Sequence, residues 1–167
     1  GLRSGTLNVP GIVGFGAACE LMSQEGVAES VSVGRLRDHL YGRLSEGLGD
    51  VWLNGPTLDN RLSGNLNESF PHIDGESLIL ALQQRVAVSS GAACTSSSME
   101  PSYVLRAMGL SKDRADGSVR FGLGRGHTQA DVDSVANYTI EQVQRLRELS
   151  VSWRMEQRGE DPAEIDW

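Results

Sequence analysis

One long apolar stripe restricts the fold more than any other feature of this sequence. Val132, Val135, Ile140, Val143, Leu146 and Leu149 gather on one side of a helix of about 3.6 residues per turn, leaving polar and charged residues on the other. Thr128-Gln129-Ala130-Asp131 ahead of it resembles a capping box with Asp at the third helical position, so the helix has a defined start. An amphipathic helix of this length must lay its stripe on another layer. A second stripe offers one: Val33, Leu36, Leu40, Leu44 and Leu48 recur at intervals of three and four, with Arg35, Arg37, Asp38, Arg43 and Glu46 between them. Gly49 ends that helix.

The other elements are short. Pro10 stands at a first helical position, and Gly11 to about Ser23 is compatible with a helix rich in small residues that Glu25-Gly26 then interrupts. Strands are expected at Val51–Leu53, Asn65–Phe70, Val86–Val88 and Ser118–Leu123, with helices from Gly75 to Gln84 and from Pro101 to Gly109. The charged tail from Ser150 carries Trp153 and Trp167 as docking points. The order ααββαβαβα implies an α+β fold, a small mixed or antiparallel sheet with helices packed on it.

Charge narrows the function classes. Of 167 residues, 15 are basic and 22 acidic, a formal net of −7, so the chain has no electrostatic footprint for nucleic acid or an anionic membrane surface. Its apolar runs fall short of the roughly 20 residues that span a bilayer. Two cysteines, Cys19 and Cys94, are too few for a disulfide scaffold, and a reducing cytoplasmic setting is expected. The one lysine is Lys112, and the first residue is Gly1; the chain reads as cut from something longer.

Cys94 is set apart by its surroundings. It lies in Ser89-Ser-Gly-Ala-Ala-Cys94-Thr-Ser-Ser-Ser-Met-Glu100, too small and polar a stretch to form core. A cysteine on an exposed loop can attack sulfur at one site and present it at another as a persulfide, though the residues alone fit an idle surface thiol as well. Cys19, among small residues of a helix, reads as packing. On residues alone Arg120 is a surface strand arginine, and Arg3 to Thr6 a polar turn ahead of a helix.

The loop, its continuation Pro101-Ser-Tyr-Val-Leu-Arg-Ala-Met-Gly109, Ser118-Val-Arg120-Phe-Gly-Leu-Gly-Arg125, Gly75-Glu-Ser-Leu78, Asn65-Leu-Asn67 with Ser69-Phe70, Leu53-Asn-Gly55 and Arg3-Ser-Gly-Thr6 together resemble the class I cysteine desulfurases, the NifS/IscS-like enzymes, over nearly the whole chain. The resemblance implies the C-terminal part of a fold-type I pyridoxal-phosphate enzyme. Residues 1–25 would be the end of the large cofactor-binding domain and the connection, and residues 26–167 the small domain with its cysteine loop at 89–100, preceded by long connecting helices. It further implies that Cys94 is the persulfide-forming nucleophile acting on L-cysteine and releasing alanine, that Arg120 holds the substrate carboxylate, and that Thr6 reaches the cofactor phosphate of the neighbouring subunit in a homodimer. The implied role is sulfur supply for iron–sulfur clusters through a scaffold protein of the IscU type or another sulfur acceptor. The family's Schiff-base lysine, its ring-stacking histidine and most phosphate ligands belong to the large domain and have no match here. Lys112, in the charged segment Gly109-Leu-Ser-Lys-Asp-Arg114, is no substitute, so the chain alone is expected to be inactive. Ala92 stands where many relatives carry Ser.

Other motifs yield less. His72-Ile-Asp74-Gly-Glu76 offers nitrogen and oxygen ligands but suits a solvated strand-to-helix turn better, and no metal is expected. Gly11-Ile-Val-Gly14-Phe-Gly16 follows Pro10 rather than a strand, which favours helix packing over dinucleotide binding. His39 and His127 have no partner visible in the sequence. Two alternatives stand beside the desulfurase reading. One is a stand-alone module that carries persulfide or binds a scaffold without lyase activity. The other is a different fold-type I lyase, against which the long Ser-rich run after Cys94 argues.

Overall fold

Both amphipathic stripes fold as helices and pack on each other. The structure, a computed structural model, describes residues 4–90 and 102–160. Its elements are α1 (Val9–Leu48), β1 (Trp52–Leu53), a 3-10 turn (Leu58–Asn60), β2 (Asn65–Ser69), α2 (Gly75–Leu82), β3 (Ser89–Ser90), α3 (Tyr103–Ala107), α4 (Lys112–Asp116), β4 (Ser118–Gly122), α5 (Gln129–Leu149) and α6 (Val151–Glu156). The four strands form one sheet in the order β1-β2-β4-β3, antiparallel at every pairing. The expected α+β architecture is present, and its sheet is antiparallel rather than mixed.

The sheet lays one face on the helices. Leu66 and Phe70 from the β2 segment, Val119 and Phe121 from β4, Leu40 and Leu44 from α1, Leu78 and Leu82 from α2, and Val132, Ala136 and Val143 from α5 make a single core. Each fully buried Leu, Val or Phe among them contributes on the order of 2 kcal/mol, which is why such short strands hold. Gly75 is required where α2 begins: a Cβ there would lie 2.4 Å from the Asp116 carbonyl oxygen and 3.1 Å from that of Ser118.

α1 departs from expectation. It runs unbroken for 40 residues, a length of about 60 Å, straight through Glu25-Gly26. One interior glycine costs a helix about 1 kcal/mol, too little to stop it between good helix formers. The stop comes at Gly49, whose positive φ of 70° is one that glycine adopts readily and other residues rarely do, and whose N–H bonds the Ser45 carbonyl at 2.9 Å. Asn8 caps the other end by accepting from the Gly11 N–H. Burial in α1 begins only at Val33. Before it Val13, Phe15, Met22 and Val27 are exposed, as is Cys19, a free thiol, so the expected packing of Cys19 does not occur within the described residues.

Three smaller elements also differ. β3 forms at Ser89–Ser90 rather than Val86–Val88, because a strand needs a partner backbone as well as β-branched side chains. Val86 and Val88 instead pack against the core. The charged segment after Gly109 folds as α4, capped by Ser111, and the tail makes α6, capped by Ser150. The Thr128–Asp131 capping box forms as expected, each residue bonding the other's backbone N–H.

Candidate functional site

The sheet face turned away from the core is polar. Along β2, Leu66 and Glu68 point into the protein while Asn65 and Asn67 alternate to the other side; along β4, Val119 and Phe121 are buried and Arg120 is exposed. Register sets these residues in one row. Arg120 is the Cα partner of Asn67 on β2 and of Ser89 on β3, and the Asn54 N–H extends the row beyond β1 by bonding the Asn67 carbonyl at 2.9 Å. Asn54, Asn67, Arg120 and Ser89 therefore lie side by side across four adjacent backbones. Directly opposed residues hold their Cβ atoms about 5 Å apart on the same face. Arg120 stands on the central pair of strands, held by ladders on both sides, and its guanidinium has no hydrogen-bond or ion-pair partner among the described residues.

A buried network supports the row. Asn54, which is 3 % exposed, donates from Nδ2 to Asn67 Oδ1 at 2.8 Å and to Ser69 Oγ at 2.7 Å. Its Oδ1 accepts from Arg114 Nε at 2.8 Å, and its carbonyl from Arg61 Nη2 at 2.8 Å. Arg114 also donates to the Leu53 carbonyl at 2.7 Å and lies over the Trp52 ring, while its own carbonyl accepts from Ser69 Oγ. Sequence reasoning missed both anchors. Asn54 belongs to a turn-like Asn-Gly-Pro run and Arg114 to a charged segment, and no local signal joins residues 60 apart.

Glu68 is the other unforeseen group. Its side chain is fully buried on the core face, neither carboxyl oxygen has a hydrogen-bond partner among the described residues, and burial pushes its pKa up to about 8 against the opposing pull of Arg61. Burial therefore favours the protonated, neutral carboxyl.

Of the residues proposed from sequence, Arg120 occupies the row just described. Thr6 is exposed in the segment ahead of α1, and Cys94 lies outside the described residues. The described residues do not by themselves fit pyridoxal phosphate. Their one lysine, Lys112, is exposed at the start of α4, lacking the desolvated pocket that activates an amine. Asp74 is no ligand partner for His72, because its carboxylate caps α2 by accepting from the Ser77 N–H at 2.8 Å. His72, with a φ of 64°, instead pairs with Glu156 at 2.7 Å, and Asp50 completes a cluster whose ligand atoms lie within 4.8 Å of one another. Arg147 already supplies positive charge to both carboxylates while donating to the Asp50 carbonyl and stacking on Trp153. The cluster therefore ties α6 to the domain. His39 pairs with Asp133 at 2.8 Å, which Arg43 also holds, and His127 accepts from the Gly124 N–H. No helix among the described residues is long and apolar enough to cross a membrane.

Known proteins resemble the chain over its whole length. Residues 1–135 match the family described as aminotransferase class-V. All 167 residues align at 53 % identity with a protein named cysteine desulfurase IscS from Anaeromyxobacter, covering 41 % of its length. They align at 47 % identity with a mitochondrial cysteine desulfurase from Arabidopsis thaliana, covering 36 % of its length. A solved structure titled NifS-like protein superposes with a TM-score of 0.74 at 31 % identity, over 87 % of this chain and 36 % of that one. The chain thus spans about two fifths of the length of these relatives.

Proposed function

As the chain belongs to the aminotransferase class-V family, we propose that it is the C-terminal portion of a pyridoxal-phosphate-dependent cysteine desulfurase. Residues 1–25 contribute the end of the large domain and the connection, and residues 26–167 the small domain. Arg120 binds the α-carboxylate of L-cysteine, and Cys94 takes up the sulfur. The net reaction balances as L-cysteine plus the Cys94 thiol giving L-alanine plus a Cys94 persulfide. The electron-sink chemistry belongs to the cofactor, which the large domain anchors. In a homodimer Thr6 reaches toward the neighbouring subunit's cofactor phosphate, and the persulfide passes to a scaffold for iron–sulfur assembly or another acceptor thiol, in a reducing cytoplasmic setting.

The observation that supports this reading most is the pairing of Ser89 with Arg120. A guanidinium stays charged at any working pH and grips a carboxylate with two parallel N–H bonds. Ser89 is five residues before Cys94, so the thiol is tethered within about 17 Å of the strand position beside Arg120. Relatives of 53 % and 47 % identity that bear the name cysteine desulfurase point the same way.

Reconstitution tests the proposal. This chain is mixed with a separately made large domain, pyridoxal phosphate and L-cysteine, and sulfide and alanine are assayed. Equal release by wild type and Cys94→Ser would remove Cys94 as the nucleophile.

A further inference from the structure

We infer that Asn67 is a second carboxylate-binding residue, its side-chain N–H groups donating to the anion that Arg120 holds, with Asn54 and Arg114 as the positioning residues that aim it. This inference rests on the proposed desulfurase reading and deepens it.

The geometry is specific about which end of the Asn67 amide faces outward. An asparagine side chain carries one carbonyl oxygen and one NH2 group. The oxygen of Asn67 is taken, because it accepts from Asn54 Nδ2 at 2.8 Å. Asn54 cannot turn its own amide round to donate elsewhere, since its Oδ1 is held by Arg114 Nε at 2.8 Å and its Nδ2 also serves Ser69 Oγ at 2.7 Å. The NH2 of Asn67 is thus left as a donor without a partner among the described residues, on the sheet face it shares with Arg120, its direct cross-strand neighbour. Its backbone is held in the β2–β4 ladder. A cation and a neutral donor side by side on a rigid sheet match an anion with two oxygens, and they match a planar carboxylate better than a lone positive charge would. The buried half of the network carries no catalytic group of its own; its effect is to fix a rotamer one residue away.

Asn67→Asp is the decisive variant. It keeps the oxygen that Asn54 bonds and the shape of the side chain, and replaces only the outward NH2 with a second oxygen, so the support network stays intact while the face becomes repulsive to a carboxylate. In the reconstituted enzyme Asn67→Asp is expected to raise KM for L-cysteine about tenfold or more, with kcat changed much less. Asn67→Ala, measured beside it, should raise KM by a smaller factor. Asn54→Ala should follow Asn67→Ala in the same direction, and L-cysteine methyl ester, which has no carboxylate charge, should not suffer the extra loss in Asn67→Asp. An unchanged KM in Asn67→Asp with a raised KM in Arg120→Ala would overturn this inference and leave the desulfurase reading standing. An unchanged KM in Arg120→Ala as well would overturn both.

Discussion

Arg114 Nε donates to Asn54 Oδ1 at 2.8 Å, across 60 residues of chain, and that bond decides which end of the Asn54 amide meets Asn67. A residue of a short helix thereby sets the orientation of a side chain two strands away from Arg120. Asn54 is buried, so losing Arg114 would leave an unsatisfied acceptor as well as an unaimed amide. Arg114→Met is expected to lower stability by about 2 kcal/mol, read as a lower urea midpoint at unchanged slope. An unchanged midpoint would mean that water replaces the guanidinium without cost.

Glu68 makes stability depend on pH in an unusual direction. Its pKa rises from an ordinary 4.5 to about 8 on folding, so the folded state binds the proton more tightly than the unfolded state. Stability is therefore full below about pH 4.5 and declines as pH rises toward 8, at a limiting slope of about 1.36 kcal/mol per pH unit from this group. Glu68→Gln removes the titration. Urea unfolding at pH 5.5 and pH 8 should then differ for wild type by on the order of 3 kcal/mol more than for the variant. Parallel behaviour of the two proteins would show that Glu68 ionises normally.

Gly75 tests the close approach of α2 to the end of α4. A methyl group there meets two backbone oxygens, neither of which can swing aside like a side chain. Gly75→Ala is expected to cost about 2–3 kcal/mol despite alanine's better helix propensity, measured as a fall in Tm. A raised Tm would show that α2 shifts freely.

Arg120 tests the substrate side. Arg120→Lys preserves the charge but not the fork, and in the reconstituted enzyme it should raise KM for L-cysteine by one to two orders of magnitude. The β4 ladder has Arg120 exposed, so its stability should stay within about 0.5 kcal/mol of wild type. A KM equal to wild type would mean that charge alone holds the carboxylate.

Much of the architecture was legible in the residues. The stripes ending at Leu48 and Leu149, the Gly49 stop, the Thr128–Asp131 box and the strands around Leu66 and Val119 are local patterns, and local patterns survive folding when the core they imply can form. The Glu25-Gly26 break failed because one glycine's penalty is small against forty residues of helical hydrogen bonds. α4 and α6 were missed because five and six residues carry too little periodicity to register.

By itself the sequence determined the helical stripes, the alternation along β2 and β4, and the presence of an arginine and a cysteine loop of recognisable pattern. The tertiary structure decided the neighbours. Whether Arg120 faces Asn67, and whether Ser89 stands on its other side, depends on the register of strands separated by tens of residues, and register is set by which apolar faces share a core. The same burial took the Glu68 carboxyl out of water, with the Arg61 charge only partly offsetting the cost. The alternation with Leu66 and Phe70 places it on the core face, but how far it is desolvated depends on what packs around it.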